Sequence, residues 1–151
     1  MMRYLLDINT WVALLDEAHL YHAAVLAFMQ KRPAIATCPM VENGLIRVLN
    51  LPSYSKLEPQ GLEKVLDKLH AICVAADHEF WPDSLTLRKE NTIQWSKVAG
   101  QQYVTDVYLL ALAVSRQGCL VTIDQRLALE SVVGAQSSHL LCLGQDSVLA
   151  G

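Results

Sequence analysis

The stretch Arg3 to Leu15, RYLLDINTWVALL, leaves this chain few ways to fold. Tyr4-Leu5-Leu6 is a short apolar run that stops at Asp7. Behind Ile8-Asn9-Thr10, the run Trp11 to Leu15 suits a buried helical turn or two. A buried strand, a carboxylate at its C-terminal end and a helix directly after it make the first βα unit of a parallel sheet. Ligands of such sheets bind outside the carboxyl ends of the strands, which is where Asp7 falls. Asp, Asn and Thr are also good helix N-caps, so Asp7 alone reads equally well as a cap.

The same layout returns at Cys119 to Asp124, CLVTID, a buried strand ending in an acid. Between the two, the patterning predicts a helix over His19 to Lys31, ended by Arg32-Pro33, and a short strand over Ala34 to Cys38. Pro39 then opens a helix over Met40 to Leu49 that carries Glu42 in its first turn. Leu51 to Gln60 reads as a loop, Gly61 to Ala71 as a charged amphipathic helix, and Ile72 to Ala75 as a strand. His78 to Asp83 either continues that strand or forms a separate edge strand. Ser84 to Val98, with Arg88, Lys89 and Lys97, gives no clear pattern beyond a basic surface. Thr105 is a natural N-cap for the most hydrophobic helix, which holds Asp106 in its first turn and closes at Gly118 in a C′ position. Gln125 to Ser131 reads as a short helix and Leu140 to Leu143 as a last strand. The tail to Gly151 carries no signal.

The 151 residues suffice for one domain, spanning 1–151, with a full core. A hydrophobic share of 52% and a mean hydropathy of +0.25 are high for a small domain, so a homodimer or a bound protein is expected to cover part of the surface. A net charge of −3 excludes a bulk polyanion binder; any nucleic acid must be held by local cations, metal or a partner. Cys38, Cys73, Cys119 and Cys142 are far apart with no CxxC, which suits free thiols in a reducing cytoplasm. No apolar run reaches about 18 residues, so no membrane span is expected. His19 and His22, three apart, read as a solvent-facing pair at a helix start, because no third ligand stands near.

Asp7, Glu42, Asp106 and Asp124 each lie at a strand's end or in a helix's first turn, positions that converge on one rim of a parallel α/β sheet. Four carboxylates a few ångströms apart repel by about 1–4 kcal/mol per pair, a cost that a bound cation relieves. An all-oxygen set points to Mg²⁺ or Mn²⁺ rather than Zn²⁺. Such an ion positions water and neutralises charge on a phosphodiester, chemistry that needs no His or Lys base. Asn9, Thr10, Thr105 and Thr122 flank the acids and can orient water or ligands. Arg47 and Arg126 are candidates to bind substrate phosphate or hold the carboxylates.

These residues carry a resemblance. LLDINTWVALL, TCPMVENGLIRVL around Glu42, HEFWPDSL, VTDVYLLALA around Asp106 and LVTIDQRL around Asp124 together resemble, in order and over nearly the whole chain, the PIN-domain nucleases, and among them the VapC-like ribonuclease toxins of toxin–antitoxin pairs. The resemblance implies a three-layer α/β fold with a central parallel sheet, and a homodimer. It further implies an Mg²⁺- or Mn²⁺-dependent endoribonuclease acting on RNA, and a cognate antitoxin whose tail enters the acidic groove. Asp7, Glu42 and Asp106 are then expected to hold the main metal, and Asp124 a second metal or the attacking water. Two other classes compete: a module of the same fold that binds protein or RNA without cleaving, and a phosphotransfer domain with Asp7 as nucleophile. The latter lacks the lysine such sites use near the phosphate.

Overall fold

The computed structural model describes residues 1–54 and 60–144, and the tail beyond Gly144 lies outside them. Strand β1 (Arg3–Leu6) is the middle of the molecule. It pairs in parallel with β2 (Ala34–Thr37) on one side and β4 (Cys119–Thr122) on the other. β3 (His78–Phe80) extends the sheet beside β2 and β5 (Leu140–Cys142) beside β4, giving the order β3-β2-β1-β4-β5 with every pairing parallel. All carboxyl ends therefore lie along one edge. The β2 and β4 runs AIAT and CLVT are buried at every position, as strands covered on both faces must be.

Helices fill the layers above and below the sheet. α1 (Ile8–Leu15) packs on α2 (His22–Gln30) and α3 (Pro39–Leu49), α3 packs on α4 (Leu62–Ala75), and α5 (Val104–Ser115) lies on β4 and β1. In α5 every residue from Val107 to Ala113 is buried, so this helix is the core's axis. Gly44 of α3 lets the start of α1 come close, since a Cβ there would run into the Ile8 side chain. Gly118 has a similar reason: a Cβ would stand 2.8 Å from the Arg3 carbonyl oxygen and 2.7 Å from the Trp81 ring.

Several local expectations change. α2 starts at His22, not His19. The His19 imidazole accepts from the Tyr21 backbone N–H, and His22 Nδ1 lies 2.8 Å from the Ala13 carbonyl, so the pair ties down a turn rather than facing solvent freely. Ile72 to Ala75 is not a strand but the last turn of α4: Val65, Leu69, Ile72 and Cys73 keep helical spacing on one inward face. The strand after it is the separate edge strand β3. α5 begins at Val104, one residue before Thr105, because the 3₁₀ turn Gln101–Tyr103 runs straight into it; Thr105 is not the cap. The left-handed residue closing α5 is Gln117 (φ 56°), and Gly118 is reserved for close packing.

Gln125 to Ser131 is not a helix. The Asp124 carboxylate accepts from the Arg126 backbone N–H at 2.9 Å, turning the chain locally, and only Leu129–Ser131 forms a 3₁₀ turn. Ser84 to Val98 is a strap across α5. Tyr108 Oη donates to the Leu85 carbonyl, and Ile93 bridges Val132. The loop read over Leu51 to Gln60 is described only to Tyr54, whose hydroxyl donates to Asp16, and again from Gln60.

Candidate active site

Asp7 follows β1 directly and is both things its sequence position allowed. Its backbone leaves the strand in extended geometry and its carboxylate caps α1: Oδ1 accepts from the Thr10 N–H at 2.8 Å and from the Thr10 hydroxyl at 2.6 Å. It is also buried at the carboxyl edge, 2% exposed. Burial pushes its pKa above the ordinary value against the pull of Thr10 and Thr122, with the charge of Asp124 adding to the rise. Thr122, fully buried at the end of β4, accepts from the Asp124 backbone N–H at 3.0 Å while its hydroxyl acts on Asp7.

Asp106, in the first turn of α5, is half-buried, and its carboxyl is pushed up to about 7, first by burial and then by the charges of Asp7 and Asp124. Three acids from β1, β4 and α5 thus feel one another. They do not stand as close as the sequence suggested: no three His, Cys, Asp or Glu side chains among the described residues are placed to hold an ion as they stand.

Glu42 occupies a different flank. Its Oε2 accepts from the Thr37 hydroxyl at 2.8 Å, and its charge bears on His78 and Cys73 across a cavity of about 350 Å³ between α3, α4 and β3. The charges that raise Asp106 come from Asp7 and Asp124, not Glu42. Burial lowers the His78 pKa, with Glu42 pulling the other way, so the imidazole is neutral near pH 7.

The two arginines also part company. Arg126 is exposed and already engaged: Nε lies 3.4 Å from Asp124 Oδ1, and its guanidinium sits over the Tyr103 ring at 5.8 Å. Arg47 makes no ion pair among the described residues and lines a cavity of about 330 Å³ with Ile8, Asn43, Asp83 and Thr105. Exposed Asn9 lines a second cavity of about 380 Å³ with Asp124 and Arg126 on the other side of the α1 start. Sequence reasoning passed over Thr37, His78 and Asp83. Asp83 is an acid three residues past β3, a signal that was available; His78 carried none, because the sheet brings it to Thr37 from 41 residues away.

The donor set is chemically suited to a hard divalent cation. It is made of carboxylates alone, where burial first and then the charges of Asp7 and Asp124 raise Asp106, with one engaged arginine against it.

A parallel α/β sheet with carboxylates gathered on its carboxyl edge offers the oxygen donors that metal-assisted phosphodiester hydrolysis uses. Comparison with known proteins narrows that class. No family profile matches the chain. It is 38% identical over 144 residues to ribonuclease VapC44 of Mycobacterium tuberculosis, covering 94% of this chain and 100% of that one. It is 36% identical over 128 residues to ribonuclease VapC29 of the same species, covering 84% and 90%. Its fold is similar to a chain in the crystal structure of VapBC2 from Rickettsia felis bound to a DNA fragment from their promoter, with a TM-score of 0.52 and 20% identity over 82% of this chain and 89% of that one. The chain belongs to the VapC ribonuclease family, as its ordered motifs implied.

Proposed function

We propose that this protein is an endoribonuclease toxin that hydrolyses RNA phosphodiester bonds at the Asp7–Asp106–Asp124 rim with Mg²⁺ or Mn²⁺. The observation that carries the reading is the electrostatic coupling of those three acids in a chain of this family. Asp7, Asp106 and Asp124, with Glu42, are the residues to hold the ion. When bound, it lowers the pKa of water and neutralises phosphodiester charge. Thr10 fixes one Asp7 oxygen from two donors, so that carboxylate enters the reaction with its orientation set. Thr122 links Asp7 to the Asp124 backbone and holds the two strand ends in one register. Arg47, with no ion pair among the described residues and lining a cavity with Asp83 and Thr105, is suited to a substrate phosphate, whereas Arg126 steadies Asp124.

A cognate antitoxin is the proposed protein partner. Exposed Leu62, Leu66 and Val74 along α4 support an apolar partner, and a homodimer is proposed on the same apolar excess. A monomer at micromolar concentration in light scattering removes the dimer. Four free cysteines suit a reducing cytoplasm.

The high apolar content, with Leu62, Leu66 and Val74 exposed along α4, favours a second reading, a binding module that does not cleave. Thermal unfolding with EDTA, Mg²⁺ or Mn²⁺ decides between them. An ion that binds only the folded state raises its stability by mass action. The nuclease reading expects a clear rise for the parent and a much smaller one for Asp106→Asn. No metal response from the parent, and no cleavage of RNA, leaves the binding module.

A further inference from the structure

Thr37 is the last residue of β2 and fully buried, an unusual place for a hydroxyl unless both its hydrogen-bonding roles are met. They are. Oγ1 lies 2.8 Å from Glu42 Oε2 and 2.7 Å from His78 Nε2. The direction follows from chemistry. A carboxylate only accepts, so the single hydroxyl hydrogen goes to Glu42; Oγ1 then accepts, and His78 Nε2 carries the N–H that donates to it. The sheet makes this possible. His78 pairs with Ile35, and Ile35 and Thr37 share one face of β2, so the imidazole stands diagonally beside the hydroxyl. The chain His78 Nε2–H to Thr37 Oγ1–H to Glu42 Oε2 therefore runs from the edge strand, through β2, to the first turn of α3. Glu42 Oε1 makes no hydrogen bond among the described residues.

We infer that Thr37 and His78 are positioning residues that hold the Glu42 carboxylate for its part in metal binding, through a buried hydroxyl relay anchored on the edge strand. The inference rests on the proposed role of Glu42 in the acidic rim. Asp7 is oriented by its own helix, through Thr10; Glu42 is oriented by Thr37 at the end of the preceding strand, which His78 in turn holds from β3. Loss of either relay member frees the carboxylate to rotate, and partners of this kind carry about 10–100-fold in metal affinity.

The test is Mn²⁺ titration by calorimetry on the full chain, with RNA cleavage measured alongside. His78→Phe and Thr37→Val are each expected to weaken Mn²⁺ binding about tenfold, while Thr37→Ser, which keeps the hydroxyl, restores it. In a Glu42→Gln background the His78→Phe change is expected to cost nothing further; in an Asp124→Asn background it keeps its tenfold effect. A structural role would lower affinity equally in both backgrounds, and that result overturns the inference. So does unchanged Mn²⁺ affinity in Glu42→Gln while the parent still binds metal and cleaves RNA, an outcome that leaves the nuclease reading intact. A parent that neither binds Mn²⁺ nor cleaves overturns both.

Discussion

Asp7 and Glu42 occupy matching places, each just past a buried strand and at the head of a helix, yet the molecule treats them differently. Asp7 sits in the dry centre, its carboxylate accepting from the Thr10 N–H and hydroxyl three residues away and its pKa raised by burial and by Asp124. Glu42 sits on the flank, half-buried beside a cavity, and is held by Thr37 and His78 from two other strands. Asp7 is oriented by its own helix and penalised by burial, whereas Glu42 is held by the Thr37 hydroxyl at the end of β2. Matching sequence positions can thus give a buried centre and a half-buried flank.

The largest expected effect comes from the centre. Asp7→Asn keeps a capping oxygen but removes charge, and should lower RNA cleavage at least about 100-fold under the same metal, with little loss of thermal stability. Cleavage at the parental rate would place the chemistry elsewhere on the rim.

Asp106 sharpens the contrast through stability. Burial, and then the charges of Asp7 and Asp124, push its carboxyl up to about 7 from the ordinary 3.8, so the folded protein binds the extra proton between those values and the unfolded chain does not. Metal-free stability should therefore rise as pH falls from 8 towards 5. Asp106→Asn should raise metal-free stability at pH 8 by about 1–3 kcal/mol and flatten that slope. Denaturant melts in EDTA at the two pH values read this directly; a parent more stable at pH 8 than at pH 5 would contradict it.

Gly118→Ala tests the packing that holds the centre together. The new methyl meets the Arg3 carbonyl and the Trp81 ring at under 3 Å, and should cost about 1–3 kcal/mol in urea unfolding. The smallest change is expected at the exposed edge. Arg3 pairs with Asp77 at 3.0 Å and Glu79 at 3.4 Å, partners whose side chains are more than half exposed, so Asp77→Asn should shift stability by less than about 1 kcal/mol. A larger loss would mean the β3 edge is less relaxed than its exposure suggests.

Much of this was legible in the chain. Short apolar runs closed by acids, Pro39 at a helix start and the all-apolar Val107 to Ala113 define β1, β4, α3 and α5, because burial on both faces demands apolar residues whatever the neighbours are. The same runs place Asp7, Glu42, Asp106 and Asp124 on one edge, since parallel strands share a direction. Where local and distant preferences compete, the chain alone misleads. Ile72 to Ala75 suits a strand by composition but stays helical through its inward face, and Gln125 to Ser131 is turned by the Asp124 carboxylate.

What the sequence by itself determined is which carboxylates follow a strand's end or open a helix, because backbone direction and hydrophobic burial are written locally. Only the tertiary structure decided that Asp7, Asp106 and Asp124 share one field while Glu42 answers to Thr37 and His78. Hydrogen bonds and charge coupling depend on distances of a few ångströms between segments far apart in the chain, and those distances exist only once the sheet has brought β2 and β3 together.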